Sequence, residues 1–252
     1  MRARRGKEEL MADERYNYDV ELEDFDKQDP EYQDLLRRIL MIQADCEIGG
    51  PHLYVKDILP SAPSRQLQAV VARTAAEEID HFRKMARMAG EIGQDVSHTL
   101  RHSNQERYVE AFRTTITTWQ DFAVFGFLVD RVGHYQLDEF TSCTYQPLQR
   151  AVLTMLPEEI GHIEFGTNAT AELAAKGGEA KERAQQAVNY WYTKSLDMFG
   201  NSDSYRSGRF RYWGIKRRSN EDARAEYIAE VNPLIEKMGL QIPDPMEGRL
   251  YV

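Results

Sequence analysis

The sequence predicts an all-α protein built on a four-helix unit, and three observations carry that expectation. Segments with the two-residue alternation of a strand are scarce, whereas long stretches repeat apolar residues at helical spacing. Gly and Pro punctuate the boundaries of those stretches. Finally, the pattern Glu-Glu-Ile-x-His occurs twice, at Glu77–His81 and at Glu158–His162, so that Glu78 and Glu159 stand 81 residues apart, as do the two histidines. A motif repeated at a fixed interval indicates two equivalent helix pairs packed as one unit.

Taken in order, residues 1–29 are highly charged and read as a loose arm that could dock on a partner. Residues 30–252 read as a single domain, a bundle with a C-terminal helical extension. The first helix is expected from Pro30 to Ile48, stopped by Gly49-Gly50-Pro51. A second starts near Ser64 and ends around Gly90 or Gly93. A third follows TTWQD, with Thr118 as N-cap and Asp121 at the capping-box position. The fourth covers QPLQRAVLTMLPEEIGHIEFGTNATAELAAK and ends at Gly177-Gly178. Pro157 interrupts its pattern, either as the N1 residue of a new helix or inside a continuous one. The apolar stripe runs through it, which favours a continuous helix with a kink or π-type distortion. GEAKERAQQAVNYWYTKSLDMF and SNEDARAEYIAEVNPLIEKM supply two further helices, joined by the basic, aromatic NSDSYRSGRFRYWGIKRR, a loop with a short helix.

The bulk properties exclude several classes. A formal net charge of −9 argues against a general nucleic-acid binder. No stretch approaches about 18 consecutive apolar residues, so no membrane span is expected. Two cysteines, Cys46 and Cys143, form no disulfide framework, and the start lacks an apolar signal core, so a cytoplasmic location is expected.

The repeated motif carries little by itself, because composition alone predicts about 0.6 Glu-x-x-His pairs in such a chain. Its surroundings carry more. Glu78 falls within the stripe Val71, Ala75, Phe82, Met85 and Ala89, and Glu159 within Val152, Leu156, Ile163 and Gly166. The i, i+3 relation then turns His81 and His162 inward as well. On the preceding helices, Leu36, Leu40 and Gln43 lead to Glu47, and Trp119, Ala123, Phe127, His134 and Leu137 surround Asp130. Asp45 points elsewhere around its helix.

Four inward carboxylates are unfavourable unless neutralised, each buried ion costing several kcal/mol. Arg83 and Arg131 are near in sequence but on the wrong faces. Two divalent cations balance four carboxylates, and two imidazoles complete the set. One acid from each of two helices plus Glu-x-x-His from each of two others is the ferritin-like di-metal pattern. Oxygen and nitrogen donors without thiolates suit iron or manganese.

The stretches CEIGG, both EEIxH motifs, TWQDFAVFGFLVD and DMFGNSDS…YWGIKRRSNEDARAEYIAEVNPLIEKMGLQIPDP resemble the catalytic-subunit family of ring-1,2-phenylacetyl-CoA epoxidase, from about Glu31 to Pro245. The resemblance implies a di-iron monooxygenase subunit that inserts one atom of O2 into the ring of an aromatic acyl-CoA. It implies electrons from an NAD(P)H-dependent reductase and a related, non-catalytic ferritin-like partner. Its metal ligands fall on Glu47, Glu78, His81, Asp130, Glu159 and His162. Pro157 departs from the family pattern.

On this basis Glu78 and Glu159 are expected to bridge two iron ions, with Glu47 and Asp130 terminal. Phe122, Phe127 and Ile48 are candidates for an apolar substrate wall, with ordinary core packing as the alternative. The basic segment Arg206–Arg218, above all Arg217 and Arg218, is the candidate phosphate contact, with a solvated loop or subunit contact as the alternative. Two rival functions share the same features: a ferritin-like iron-storage protein and a non-catalytic scaffold subunit. Retention of six potential ligands argues against the scaffold.

Overall fold

The computed structural model describes residues 16–251. Its main helices are α1 (Pro30–Ser61), α2 (Arg65–Glu91), α3 (Trp119–Glu139), α4 (Gln146–Ala175), α5 (Gly178–Asp197), α6 (Tyr205–Tyr212) and α7 (Asn220–Lys237), with short 3-10 turns between several of them. Among the described residues the one β feature is an isolated bridge between Val20 and Tyr145. The fold is an all-α, ferritin-like bundle.

Side-chain caps define the helix starts. Asp29, Ser64, Thr118, Ser204 and Ser219 each accept a backbone N–H from the first turn of the helix they precede. The Thr118 and Ser219 caps agree with the sequence pattern.

α1 α2 and α3 α4 form the principal packed pairs. Two apolar cores divide the bundle. One gathers Leu53, Ile58, Val71, Phe125, Trp191 and Tyr227, and the other gathers Leu36, Leu40, Met85, Leu137, Leu148 and Val152. α1 and α4 begin in the second core, whereas α2 and α3 both begin in the first. The order is therefore up, down, down, up, and the chain must cross the bundle's length between α2 and α3. Residues 92–118 make that crossing, from Ile92 and Val96 in one core to Ala111, Phe112 and Ile116 in the other. Asp45, turned away from the bundle centre, pins the crossing: it accepts from Arg107 Nη1 at 2.7 Å and from Tyr108 N at 2.8 Å. Breaking such a buried pair would strand a charge.

The structure corrects two expectations and bears out the continuity of the helix at Pro157. The first helix does not stop at Gly49-Gly50-Pro51 but runs to Ser61. Its later turns bury Leu53, Tyr54 and Ile58, and that burial outweighs the poor helix propensity of the Gly and Pro residues. Gly49 is needed for clearance, since a Cβ there would stand 2.9 Å from the Phe112 ring. α4 runs through Pro157 as continuous α-helix, with no π turn recorded. The carbonyl of Leu153, which loses its partner to the proline, lies where that side chain is 57 % exposed, so water can take the vacant position. Of the segment expected to be a loose arm, residues 1–15 lie outside the described residues. From Tyr16 onward it is docked: Val20 and Phe25 are buried, and the Tyr16 ring packs on Trp213.

Candidate metal centre

Glu47, Glu78, His81, Asp130, Glu159 and His162 all lie where the two apolar cores meet, one polar layer across the four long helices. Glu47, Glu78, His81 and Glu159 place donor atoms within 4.8 Å of one another. His81 Nδ1 is 3.4 Å from Glu47 and 3.2 Å from Glu159. His162 Nδ1 is 3.2 Å from Glu78, so each histidine of one pair meets a motif glutamate of the other. Asp130 is half-buried and lines the small cavity on the carboxylate side of the layer.

The electrostatics are those of donors crowded without a counter-ion. Burial and then Glu47 raise the Glu78 carboxyl above its usual range; burial and then Glu78 do the same to Glu159 and, more strongly, to Asp130. Burial alone would lower His81, but Glu159 and Glu47 outweigh it and push it up to about 11. His162 goes up to about 10 because Glu78, Glu159 and Asp130 outweigh its burial in the same way.

The fit to a metal rests on two atoms. Nδ1 of His81 and Nδ1 of His162 are buried and make no hydrogen bond, although carboxylates stand close by. An inward imidazole nitrogen left without a hydrogen bond is uncommon in a folded interior, and a divalent cation between carboxylates and imidazoles satisfies it. The opposite nitrogens are fixed. His81 Nε2 lies 2.7 Å from Glu158 and His162 Nε2 lies 2.8 Å from Glu77. A carboxylate on the far nitrogen sets the tautomer and ring orientation of a metal-ligating histidine. Glu77 and Glu158 are thus candidate site residues that sequence reasoning passed over. The signal was the doubled glutamate present in both motif copies.

A cavity of ≈ 40 Å³ adjoins the layer on the side of Glu47 and Asp130. Its apolar wall is Phe112, Phe125, Val129, Leu137 and Met198. Phe122 and Phe127 are buried but do not line it, and neither does Ile48: Phe122 packs on Tyr54, Trp119 and Phe165. Phe112 comes from the crossing segment, whose irregular path hid it from periodicity. α3 and α4 touch beside the layer at Gly126 and Gly166, where a Cβ on Gly166 would stand 2.3 Å from the Gly126 carbonyl carbon.

Arg217 and Arg218 lie away from this cavity and are committed to acids. Arg217 bonds Asp138, and its backbone N–H donates to Glu139 at 2.8 Å. Arg218 contacts Glu139 at 2.8 Å, Asp138 at 2.7 Å and Glu226 at 3.0 Å.

The sequence profile of the Phenylacetic acid catabolic protein family matches residues 11–249. The chain belongs to this family. It is similar to one of the subunits of 1,2-phenylacetyl-CoA epoxidase from Escherichia coli (strain K12), with 26 % identity over 243 residues, covering 94 % of this chain and 78 % of that one. It is also similar to benzoyl-CoA oxygenase component B of Aromatoleum evansii, with 27 % identity over 220 residues, 76 % of this chain and 46 % of that one. Both relatives are named as one part of a multi-part oxygenase. No helix among the described residues is long and apolar enough to cross a membrane.

Proposed function

We propose that the chain is the metal-bearing subunit of a monooxygenase that inserts one atom of O2 into the ring of an aromatic acyl-CoA, giving an epoxide. The observation that carries this reading is the pair of buried, hydrogen-bond-free Nδ1 atoms set beside Glu47, Glu78 and Glu159, with Asp130 on the adjoining cavity. Family membership and the oxygenase names of two relatives support the reaction class.

Glu47, Glu78, His81, Asp130, Glu159 and His162 would hold two ions, iron by preference and manganese as the alternative for such donors. The metal pair supplies the activation of O2. The chain's residues do the rest. Glu77 and Glu158 hold the imidazoles in place, and Phe112, Phe125 and Val129 keep the cavity dry. The reaction balances when a reductase passes two electrons from NAD(P)H and two protons enter, so that one oxygen atom goes to the ring and the other leaves as water. A related non-catalytic subunit is the further partner proposed.

The test is to load the protein with Fe(II) and supply phenylacetyl-CoA, a reductase, NAD(P)H and ¹⁸O2, then weigh the product. A thioester carrying one ¹⁸O atom is expected. Iron accumulation without product would make it a storage protein. A chain that binds no metal and yields no product would be a scaffold.

A further inference from the structure

Tyr54 follows Glu47 on α1 by two helical turns and therefore shares its face of the helix. Gly50, between them, lines the cavity at the carboxylate layer, and a Cβ placed on it would meet Tyr54 Cε1 at 3.8 Å. On its other side the Tyr54 ring packs on Phe122 of α3, with centroids 4.9 Å apart. From α2, Ala75 joins the same apolar core, one turn before Glu78. The ring is thus wedged between helices immediately beside the layer. Tyr54 is 2 % exposed, and its hydroxyl is buried without a hydrogen bond. It shares that condition with Nδ1 of His81 and Nδ1 of His162.

Packing accounts for the ring and not for its oxygen. Phenylalanine would fill the same space without stranding a hydroxyl, and a stranded buried hydroxyl is unfavourable. What surrounds the oxygen is acidic. Burial first, and then the charges of Glu78, Asp130, Glu159 and Glu77, raise the Tyr54 phenol well above its usual range, so it remains a donor. The carboxyl groups of the layer are the acceptors such a donor can serve. An ion bound there would fix them as carboxylates, and a hydrogen bond to an ionised acceptor is about twice as strong as one to a neutral group. The hydroxyl therefore has more to gain in the loaded site than in the empty one.

We propose that Tyr54 is a positioning residue of the metal centre, its hydroxyl donating to the Glu78 carboxylate when that group is held as a ligand. The proposal rests on the metal reading above and adds to it a residue outside the Glu-x-x-His pattern. Glu78 reaches across to His162 of the other helix pair, so a donor that fixes its orientation steadies the junction of both pairs.

Tyr54→Phe keeps the ring and removes only the hydroxyl. The full chain, freed of metal, is titrated with Mn(II) in the absence of O2, and the free ion is read by electron paramagnetic resonance. Thermal unfolding is measured on the same metal-free protein. Two effects of opposite sign are expected. Mn(II) binding should weaken about tenfold, which is about 1.4 kcal/mol. The metal-free Tm should rise by about 2–4 °C, because a stranded hydroxyl has gone. Tyr145 is the control. Its hydroxyl is also buried and without a hydrogen bond, but it lies in the other core at the start of α4, about 21 Å along the helix from Glu159. Tyr145→Phe should raise the metal-free Tm in the same way and leave Mn(II) binding unchanged. Tyr54→Phe that binds Mn(II) as tightly as the unaltered chain overturns the proposal and leaves the metal reading intact. A lower metal-free Tm would mean that the hydroxyl already has a partner, and overturns it too. Equal losses of Mn(II) affinity in the two variants do the same. If the unaltered chain binds neither Mn(II) nor Fe(II), the metal reading falls and takes this inference with it.

Discussion

In the α1 α2 pair the terminal acid is Glu47, buried and 3.4 Å from His81 Nδ1, and that histidine also approaches Glu159. In the α3 α4 pair the terminal acid is Asp130, one methylene shorter and half-buried, and His162 Nδ1 approaches Glu78 alone. The helices differ in the same sense. Met85 fills the position that Gly166 occupies 81 residues later, so α2 carries a buried side chain where α4 presses its backbone onto α3. One pair carries a side chain at this contact; the other draws in tightly beside the layer. The small cavity lies between the two pairs, lined by Gln43, Cys46 and Glu47 from the first and by Val129, Asp130 and Gly133 from the second. The duplicated candidate ligands thus stand in unequal settings, Glu47 buried and Asp130 half-buried.

The largest break in that comparison comes from removing a glutamate shared between pairs. Glu78→Ala takes away the partner of His162 and a donor of the compact group, so metal content is expected to fall from about two ions per chain to nearly none. Asp130→Ala removes the half-buried candidate ligand and should leave about one ion. Elemental analysis of the two purified variants separates them. Equal losses would mean that the pairs do not differ in this way.

Next comes the helix contact. Gly166→Ala sets a Cβ into α3 backbone, which cannot give way as a flexible side chain would. The expected cost is about 3 kcal/mol, lowering Tm by about 6–12 °C in a domain of this size. Met85→Ala in the other pair leaves a cavity instead, at about 2–5 kcal/mol. Thermal unfolding measures both, and a well-tolerated alanine at 166 would show that α3 and α4 stand further apart.

The carboxylates behind the histidines should erase the difference between pairs. Glu77→Gln and Glu158→Gln each keep shape and lose charge, so each is expected to weaken metal binding about 10–100-fold. Titration with Fe(II) or Mn(II) reads the two losses side by side. If one substitution alone matters, the asymmetry extends through the histidine layer.

These predictions follow from how the site was encoded. The six ligand candidates were legible because each interrupts an apolar stripe at helical spacing, and the same stripes gave the four long helices. Gly49-Gly50-Pro51 misled, because propensity reports local preference whereas burial of Leu53, Tyr54 and Ile58 decided the outcome. The cavity wall was illegible for a different reason. Phe112 reaches the layer from an irregular crossing held by Asp45 and Arg107, residues 62 apart in sequence. No periodic pattern records such a contact. Arg217 and Arg218 looked available as a run of charge, and only their placement beside Asp138 and Glu139 shows them committed.

The smallest expected effect isolates local backbone preference from packing. The two motifs differ at one inner position: Asp80 in the first, Gly161 in the second. Asp80 contacts Lys84 at 3.1 Å, whereas Gly161 is exposed and a Cβ there meets nothing within 4 Å. Glycine within a helix costs about 1 kcal/mol relative to alanine, so Gly161→Ala should raise Tm by about 2–4 °C, opposite in sign to Gly166→Ala five residues on. Both positions lie in α4 and differ chiefly in what stands opposite. A fall in Tm at 161 would mean that the space beside it is filled in solution, and the open face of the second pair would then be a covered one.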